Sequence, residues 1–194
     1  MKHAVVASAG RIKTNTFGAS PLVRRFASSI AGAANGAPIL DVACGSGRNA
    51  MIFAEMGCEV ICVDINLSNL EDELSGKGPA YEFSSRLQLR TLDLINDPWP
   101  FGAGTIGAII NVHFLRPTLF SSFEYSLASG GQLLIESISG RGGNYLELPA
   151  AGEVRSVLET GFDFDLYEER KVGPEGSNAV TVKVIATRTL LSRN

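Results

Sequence analysis

The sequence predicts an α/β fold, a doubly wound and mainly parallel sheet with a C-terminal antiparallel strand pair. Three observations predict it. Short apolar runs alternate with helix-period segments from Ile39 to Glu159, the pattern of repeated strand–helix–strand units. A small-residue turn at Ala43, Gly45 and Gly47 follows the first apolar run, and Asp64 ends the second. Finally, Phe162 to Val172 and Ala179 to Arg188 alternate well enough to pair antiparallel across Gly173 to Asn178.

The elements follow in order. Ser20-Pro21 opens a helix, since serine caps and proline fits the first turn. Leu22, Phe26 and Ile30 share one face, and Gly32 to Gly36 ends it. Ile39 to Ala43 is the first buried strand, Arg48 to Met56 a helix stopped by Gly57, and Val60 to Asp64 the second strand. Asn66 to Leu74 is a helix with Leu67, Leu70 and Leu74 on one face, broken by Gly76, Gly78 and Pro79. The third strand is Leu87 to Leu92, followed by the proline- and glycine-rich loop Asp93 to Gly104. Ile106 to Val112 is the fourth strand, Pro117 to Leu127 a helix, Gln132 to Ser137 the fifth strand after a glycine turn, and Glu153 to Glu159 the last helix. The domain proper spans 38–194, preceded by a basic arm and helix at 1–37.

The stretch from Ile39 to Asn66 carries the chemistry. Gly45 and Gly47 let the backbone turn sharply and let a ligand approach without meeting a Cβ. The helix after them begins with unpaired amides that suit a carboxylate or phosphate. Asp64, at the carboxyl end of the second strand, is placed to accept hydrogen bonds from ribose hydroxyls. Gly45, Gly47 and Ala50 also satisfy the G-x-G-x-x-G/A pattern, which leaves a nicotinamide or flavin dinucleotide open. Three features favour S-adenosylmethionine instead. Asp41 is a charge inside a buried strand, which requires loop amides or a ligand amino group as partner. Asp93 stands at the end of the third strand, where it can accept from an adenine amino group. The antiparallel pair at the C-terminus is not required by a dinucleotide fold.

On these residues the chain resembles a class I S-adenosylmethionine-dependent methyltransferase, in an order of elements running from Pro38 to Arg188. Within it DVACGSGRN, VHFLRPTLF, SGGQLLIES and GNYLELPAAGEV resemble the tellurite-resistance methyltransferase group. The resemblance implies a Rossmann-like methyltransferase fold, with S-adenosyl-L-methionine held by Asp41, Ala43, Cys44, Gly45, Gly47, Asn49, Asp64, Ile65, Asp93, Leu94, Asn111 and Val112. Ala43 stands where that family has glycine; at negative φ an alanine there is tolerated, and otherwise the loop must differ. An oxidoreductase using a dinucleotide and a non-catalytic S-adenosylmethionine-binding protein are the alternatives.

Methyl transfer asks the protein to position a nucleophile in line and to exclude water. A general base is needed only for a protonated nucleophile, and His113 is the histidine near the expected mouth. Arg11, Phe17, Arg116, Arg141 and Tyr145 are the residues that would border the acceptor, with Arg11 to Phe17 closing as a lid.

Composition narrows the classes. The chain of 194 residues is 45% hydrophobic, enough for one substantial core. No apolar run approaches the ~18 to 20 residues of a membrane helix. Cys44, Cys58 and Cys62 with two histidines give no zinc spacing, so no metal is expected, and free cysteines suit a cytoplasmic setting. The net charge is -3, yet the first 40 residues hold five bases and no acid, leaving 12 bases against 20 acids beyond them. Phosphate backbones select basic stripes, so the acidic domain points away from nucleic acid and toward a small-molecule acceptor.

Overall fold

A computed structural model describes residues 17–76, 78–137 and 148–189. Helix α1 (Pro21–Ala34) begins at Ser20, whose Oγ accepts from the Leu22 amide at 3.0 Å. It ends on Asn35, which takes the left-handed conformation at φ 47°. Strand β1 (Ile39–Val42), helix α2 (Ala50–Glu55), strand β2 (Val60–Asp64) and helix α3 (Ser68–Ser75) follow. A 3-10 segment (Pro79–Arg86) leads into β3 (Leu87–Thr91). After the proline-rich loop come β4 (Ile106–Val112), a short 3-10 turn (Pro117–Leu119), α4 (Phe120–Ser126), β5 (Leu127–Glu136), α5 (Glu153–Leu158), β6 (Phe162–Lys171) and β7 (Val180–Arg188).

Seven strands form one sheet in the order β3-β2-β1-β4-β5-β7-β6. All neighbours run parallel except β7, which lies antiparallel between β5 and β6, with Leu134 opposite Ile185. Side chains alternate across the sheet. Ile39, Val60, Cys62, Ala108 and Ile110 join α1, α2 and α3 in one buried cluster, while Leu40, Val42, Ile61, Val63 and Ile109 join α4 and α5 in the other. α1 is part of that first cluster through Leu22, Val23, Ala27 and Ile30. The doubly wound sheet and its final antiparallel pair are therefore those expected from the sequence.

Two local features differ from expectation. The 3-10 segment Pro79–Arg86 lies where the sequence shows only a break, because PAYEFSSR has no sustained apolar period; Phe83 instead meets Phe17 edge-on at 6.5 Å between ring centroids. Strand β5 starts at Leu127, five residues before the expected Gln132. Leu127 already pairs with Ile106, and Gln132 with Ala108, so the expected glycine turn is a bulge inside the strand, with Gly130 at φ 77°. Among the described residues no helix is long and apolar enough to cross a membrane, and no cluster of potential metal ligands forms.

Candidate functional site

The chain winds outward from β1 through β2 to β3, then crosses back to β4 on the other side of β1. Such a reversal leaves a crevice beyond the carboxyl ends of β1 and β4, where α/β sheets bind ligands. A cavity of about 360 Å³ opens there. Of the residues read from the sequence, Ala43, Asp64, Ile65, Asp93, Leu94, Val112 and His113 line it; Leu92, Ile95 and Phe114 complete the wall and were not singled out. Their omission has a simple cause, since nothing in an apolar side chain distinguishes a ligand wall from core until the fold is known.

The turn between β1 and α2 is held in left-handed conformations, with φ of 54° at Ala43, 56° at Gly45 and 72° at Gly47. Gly47 is also pressed against Leu70, whose Cδ1 would lie 2.6 Å from an added Cβ. Ala43 thus adopts a conformation that suits glycine, in the wall of the cavity. Relieving it by Ala43→Gly should raise the stability of the ligand-free protein by about 1 kcal/mol, seen as a higher denaturant midpoint. A lower midpoint would show that the loop carries no such strain.

Asp64 closes the turn from the β2 side. Its Oδ2 accepts from the Gly45 amide at 2.8 Å and its Oδ1 from the Asn66 amide at 3.1 Å, so each oxygen keeps one acceptor position. Asp93 is engaged differently. Oδ1 accepts from the Ile95 and Asn96 amides, at 2.9 and 3.2 Å, and Oδ2 from Asn96 Nδ2 at 2.8 Å. These bonds, the Asn96 side chain first, hold its carboxyl below the ordinary range and shape the loop that presents Leu94 and Ile95. One acceptor position on Oδ2 remains.

The other sequence-derived residues lie behind this wall. Cys44 is buried, with Sγ 3.8 Å from the Gly45 carbonyl. Asn49 is buried and its Oδ1 accepts from the Ser20 amide at 3.0 Å, tying the turn to the start of α1. Asn111 is 1% exposed, and neither its Oδ1 nor its Nδ2 has a partner among the described residues. Asp41 is likewise 1% exposed with both oxygens unpartnered. Burial pushes its carboxyl up to about 7; the Ala50 amide, which approaches it without meeting hydrogen-bond geometry, and the Arg48 guanidinium pull it down, and Asp64 pushes it further up.

His113 follows β4 at φ 68°, a strained backbone for a histidine, fixed by its amide donating to the Glu136 carbonyl at 2.8 Å. An Arg48 Nη2 lies 3.5 Å from His113 Nδ1. A guanidinium only donates, so Nδ1 accepts, Nε2 carries the ring proton, and the nitrogen left for a ligand is a donor. Burial and then the Arg48 charge lower the ring's pKa, opposed by Glu136, so the ring is neutral at neutral pH. Glu136, buried at the end of β5, accepts from Ser20 Oγ.

Phe17 lines a second cavity of about 280 Å³, and Arg116 a third of about 270 Å³ that shares Leu92, Leu94 and Ile95 with the first. Arg116 also sits over the Phe114 ring, 5.5 Å from its centroid. Arg11, Arg141 and Tyr145 lie outside the described residues, as does most of the expected lid. Arg48 was missed by sequence reasoning. The signal available was its place as the base directly after the glycine turn.

A family model described as RNA cap guanine-N2 methyltransferase matches residues 36–124, fewer than half of the chain. No curated protein matches by sequence. Among solved structures, a tRNA (m1A58) methyltransferase from Aquifex aeolicus is similar at a TM-score of 0.60 and 15% identity, covering 92% of this chain and 71% of that one. A geranyl diphosphate methyltransferase in complex with SAM is similar at 0.62 and 13%, covering 86% and 85%. A [4+2]-cyclase is similar at 0.61 and 15%, covering 86% and 80%, so this architecture also carries reactions other than methyl transfer. From β1 to β7 the chain has the fold of the S-adenosylmethionine-dependent methyltransferases.

Proposed function

We propose that the protein is an S-adenosylmethionine-dependent methyltransferase that acts on a small-molecule acceptor by direct in-line transfer. The observation that carries this reading is Asp41, a fully buried carboxylate with no partner, beneath a glycine turn whose far side holds Asp64. A buried carboxyl without a partner gains most by ionising against a cation, and S-adenosylmethionine is positive at its sulfonium and its amino group and negative only at its carboxylate. A dinucleotide would bring two phosphates to the same turn and meet repulsion instead. The sulfonium supplies a methyl group whose carbon takes the acceptor's lone pair while the C–S bonding pair stays on sulfur.

The chain's own residues hold and orient. Asp64 offers one open acceptor position per oxygen to a ribose diol, and Ile65, Leu94 and Ile95 give apolar walls to a purine. Asp64→Ala should weaken binding of S-adenosylhomocysteine by about 1.5 to 3 kcal/mol, the range for hydrogen bonds to a charged group. Calorimetry reads this directly, and unchanged affinity would place the ribose elsewhere. His113 acts as a donor through Nε2–H rather than as a base, with Nδ1 committed to Arg48.

Incubation with S-adenosylmethionine and an acceptor panel, followed by S-adenosylhomocysteine formation, tests the activity. Binding without turnover on any acceptor would favour a non-catalytic protein. Membership of the tellurite-resistance methyltransferase group, which VHFLRPTLF and GNYLELPAAGEV resemble, would go with a small acceptor. A second reading, transfer to RNA, is favoured by the family match at residues 36–124. Against it stand 12 bases and 20 acids beyond residue 40, including the acid-rich edge strand β6, where RNA binding calls for a basic surface. A capped RNA oligonucleotide in the panel separates the two.

A further inference from the structure

The second cavity adjoins the glycine turn and does not include Asp64. Ser46 and Arg48 come from the turn, Met51 from α2, Glu73 from α3, and Phe17 and Ala80 close it. Arg48 links the two cavities: it lines the second, and its guanidinium reaches 3.5 Å from Nδ1 of His113, which lines the first. A ligand resting on Arg48 and a nucleoside resting on Asp64 would therefore both adjoin the same turn and the Arg48–His113 contact.

Arg48 is half-buried and holds only long contacts, to the Gly18 carbonyl at 3.4 Å and to His113. No carboxylate of the described residues lies within 4.0 Å of it; the single ion pair among them joins Arg86 and Glu59. Outside the described residues the sequence has one acidic side chain, Glu147. The buried Asp41 interacts with the Arg48 charge, Glu136 acts against Arg48 on the His113 ring, and Glu73 lines the same cavity. A partly desolvated guanidinium in a cavity wall, with two of its five N–H donors in long contacts and no carboxylate on the others among the described residues, suits a carboxylate or a phosphate. Phe17, Met51 and Ala80 offer the rest of such a molecule an apolar wall.

We infer that the second cavity is the acceptor subsite, and that Arg48 anchors an anionic carboxylate or phosphate group of an otherwise apolar small molecule. This rests on the methyltransferase reading above. His113 is the anchor's neighbour and carries its signal: with only His3 besides it in the chain, its ring nitrogens are assignable by comparison with His3→Gln.

The test uses the full chain saturated with S-adenosylhomocysteine, so that the cofactor's own carboxylate is already placed. Phenyl phosphate, benzoate and uncharged benzamide are then titrated while the His113 ring nitrogens are followed by NMR. At least one anion should shift them saturably, benzamide should not, and Arg48→Gln should weaken the anion by about tenfold or more. Whichever anion binds more tightly identifies the anchored group. The inference is overturned if neither anion binds, if benzamide acts alike, or if Arg48→Gln leaves the anion's affinity unchanged. It is also overturned if the anions displace S-adenosylhomocysteine and Arg48→Gln weakens that compound about tenfold, since the guanidinium then serves the cofactor tail. Failure of the parent chain to bind S-adenosylhomocysteine would remove the methyltransferase reading and the acceptor subsite together.

Discussion

Asp41→Asn should make the ligand-free protein more stable and, at the same time, a poorer binder of S-adenosylmethionine. The carboxyl titrates near 7 in the fold against 3.8 when unburied, with burial the main cause. Between those values the folded state holds more protons than the unfolded state, so the parent's stability falls as pH rises through that window and levels off above it. Asparagine resembles the protonated acid and escapes this loss. A difference of about 3 units corresponds to roughly 4 kcal/mol in favour of the variant at about pH 8, shrinking toward zero at about pH 4. Denaturant unfolding at both pH values measures it. Equal stability at the higher pH would mean that Asp41 has a partner in solution. Affinity for S-adenosylmethionine should drop by about 1.5 to 3 kcal/mol, because the orphaned anion that fits its cation is gone.

Gly107→Ala should destabilise the fold by roughly 3 kcal/mol or more, far from any ligand. A Cβ at this position in β4 would stand 2.6 Å from the Ala34 carbonyl oxygen and 2.7 Å from Ala34 Cα, at the end of α1. Both are main-chain atoms and cannot rotate away. Relief requires α1 to lift from the sheet, which opens the cluster formed by Val23, Ala27, Ile30 and the β4 residues Ala108 and Ile110. A fall in melting temperature with preserved S-adenosylhomocysteine binding at low temperature is the expected pattern. Parent-like stability would show that α1 does not pack as described.

Much of this architecture was legible because its signals are local. Apolar runs fully buried between two helix layers, as in Ile106 to Val112, read as strands whatever surrounds them. Ser20-Pro21 marked a helix start that the Ser20 cap confirms in atomic detail. Asp64 and the glycine turn were likewise visible, since a fixed spacing along the chain places them face to face. What escaped depends on the approach of distant segments. The insertion of β7 between β5 and β6 is a matter of pairing, and either order satisfies the same alternation. Leu127 joins β5 because Ile106 waits beside it, 21 positions earlier. Ala43 gives no sign in sequence of its φ of 54°, and the meeting of Arg48 with His113, 65 positions away, shows only in the fold.

On the proposed reading, the turn from Ala43 to Gly47 suits a nucleoside that carries an amino-acid tail and not a dinucleotide. Isothermal titration of the full chain with S-adenosylmethionine, S-adenosylhomocysteine, NAD and NADP tests it most directly. The two sulfur compounds should bind with dissociation constants on the order of micromolar, and both dinucleotides about a hundredfold more weakly or not at all. Tight binding of NAD or NADP with no heat from either sulfur compound would make the turn a dinucleotide site instead.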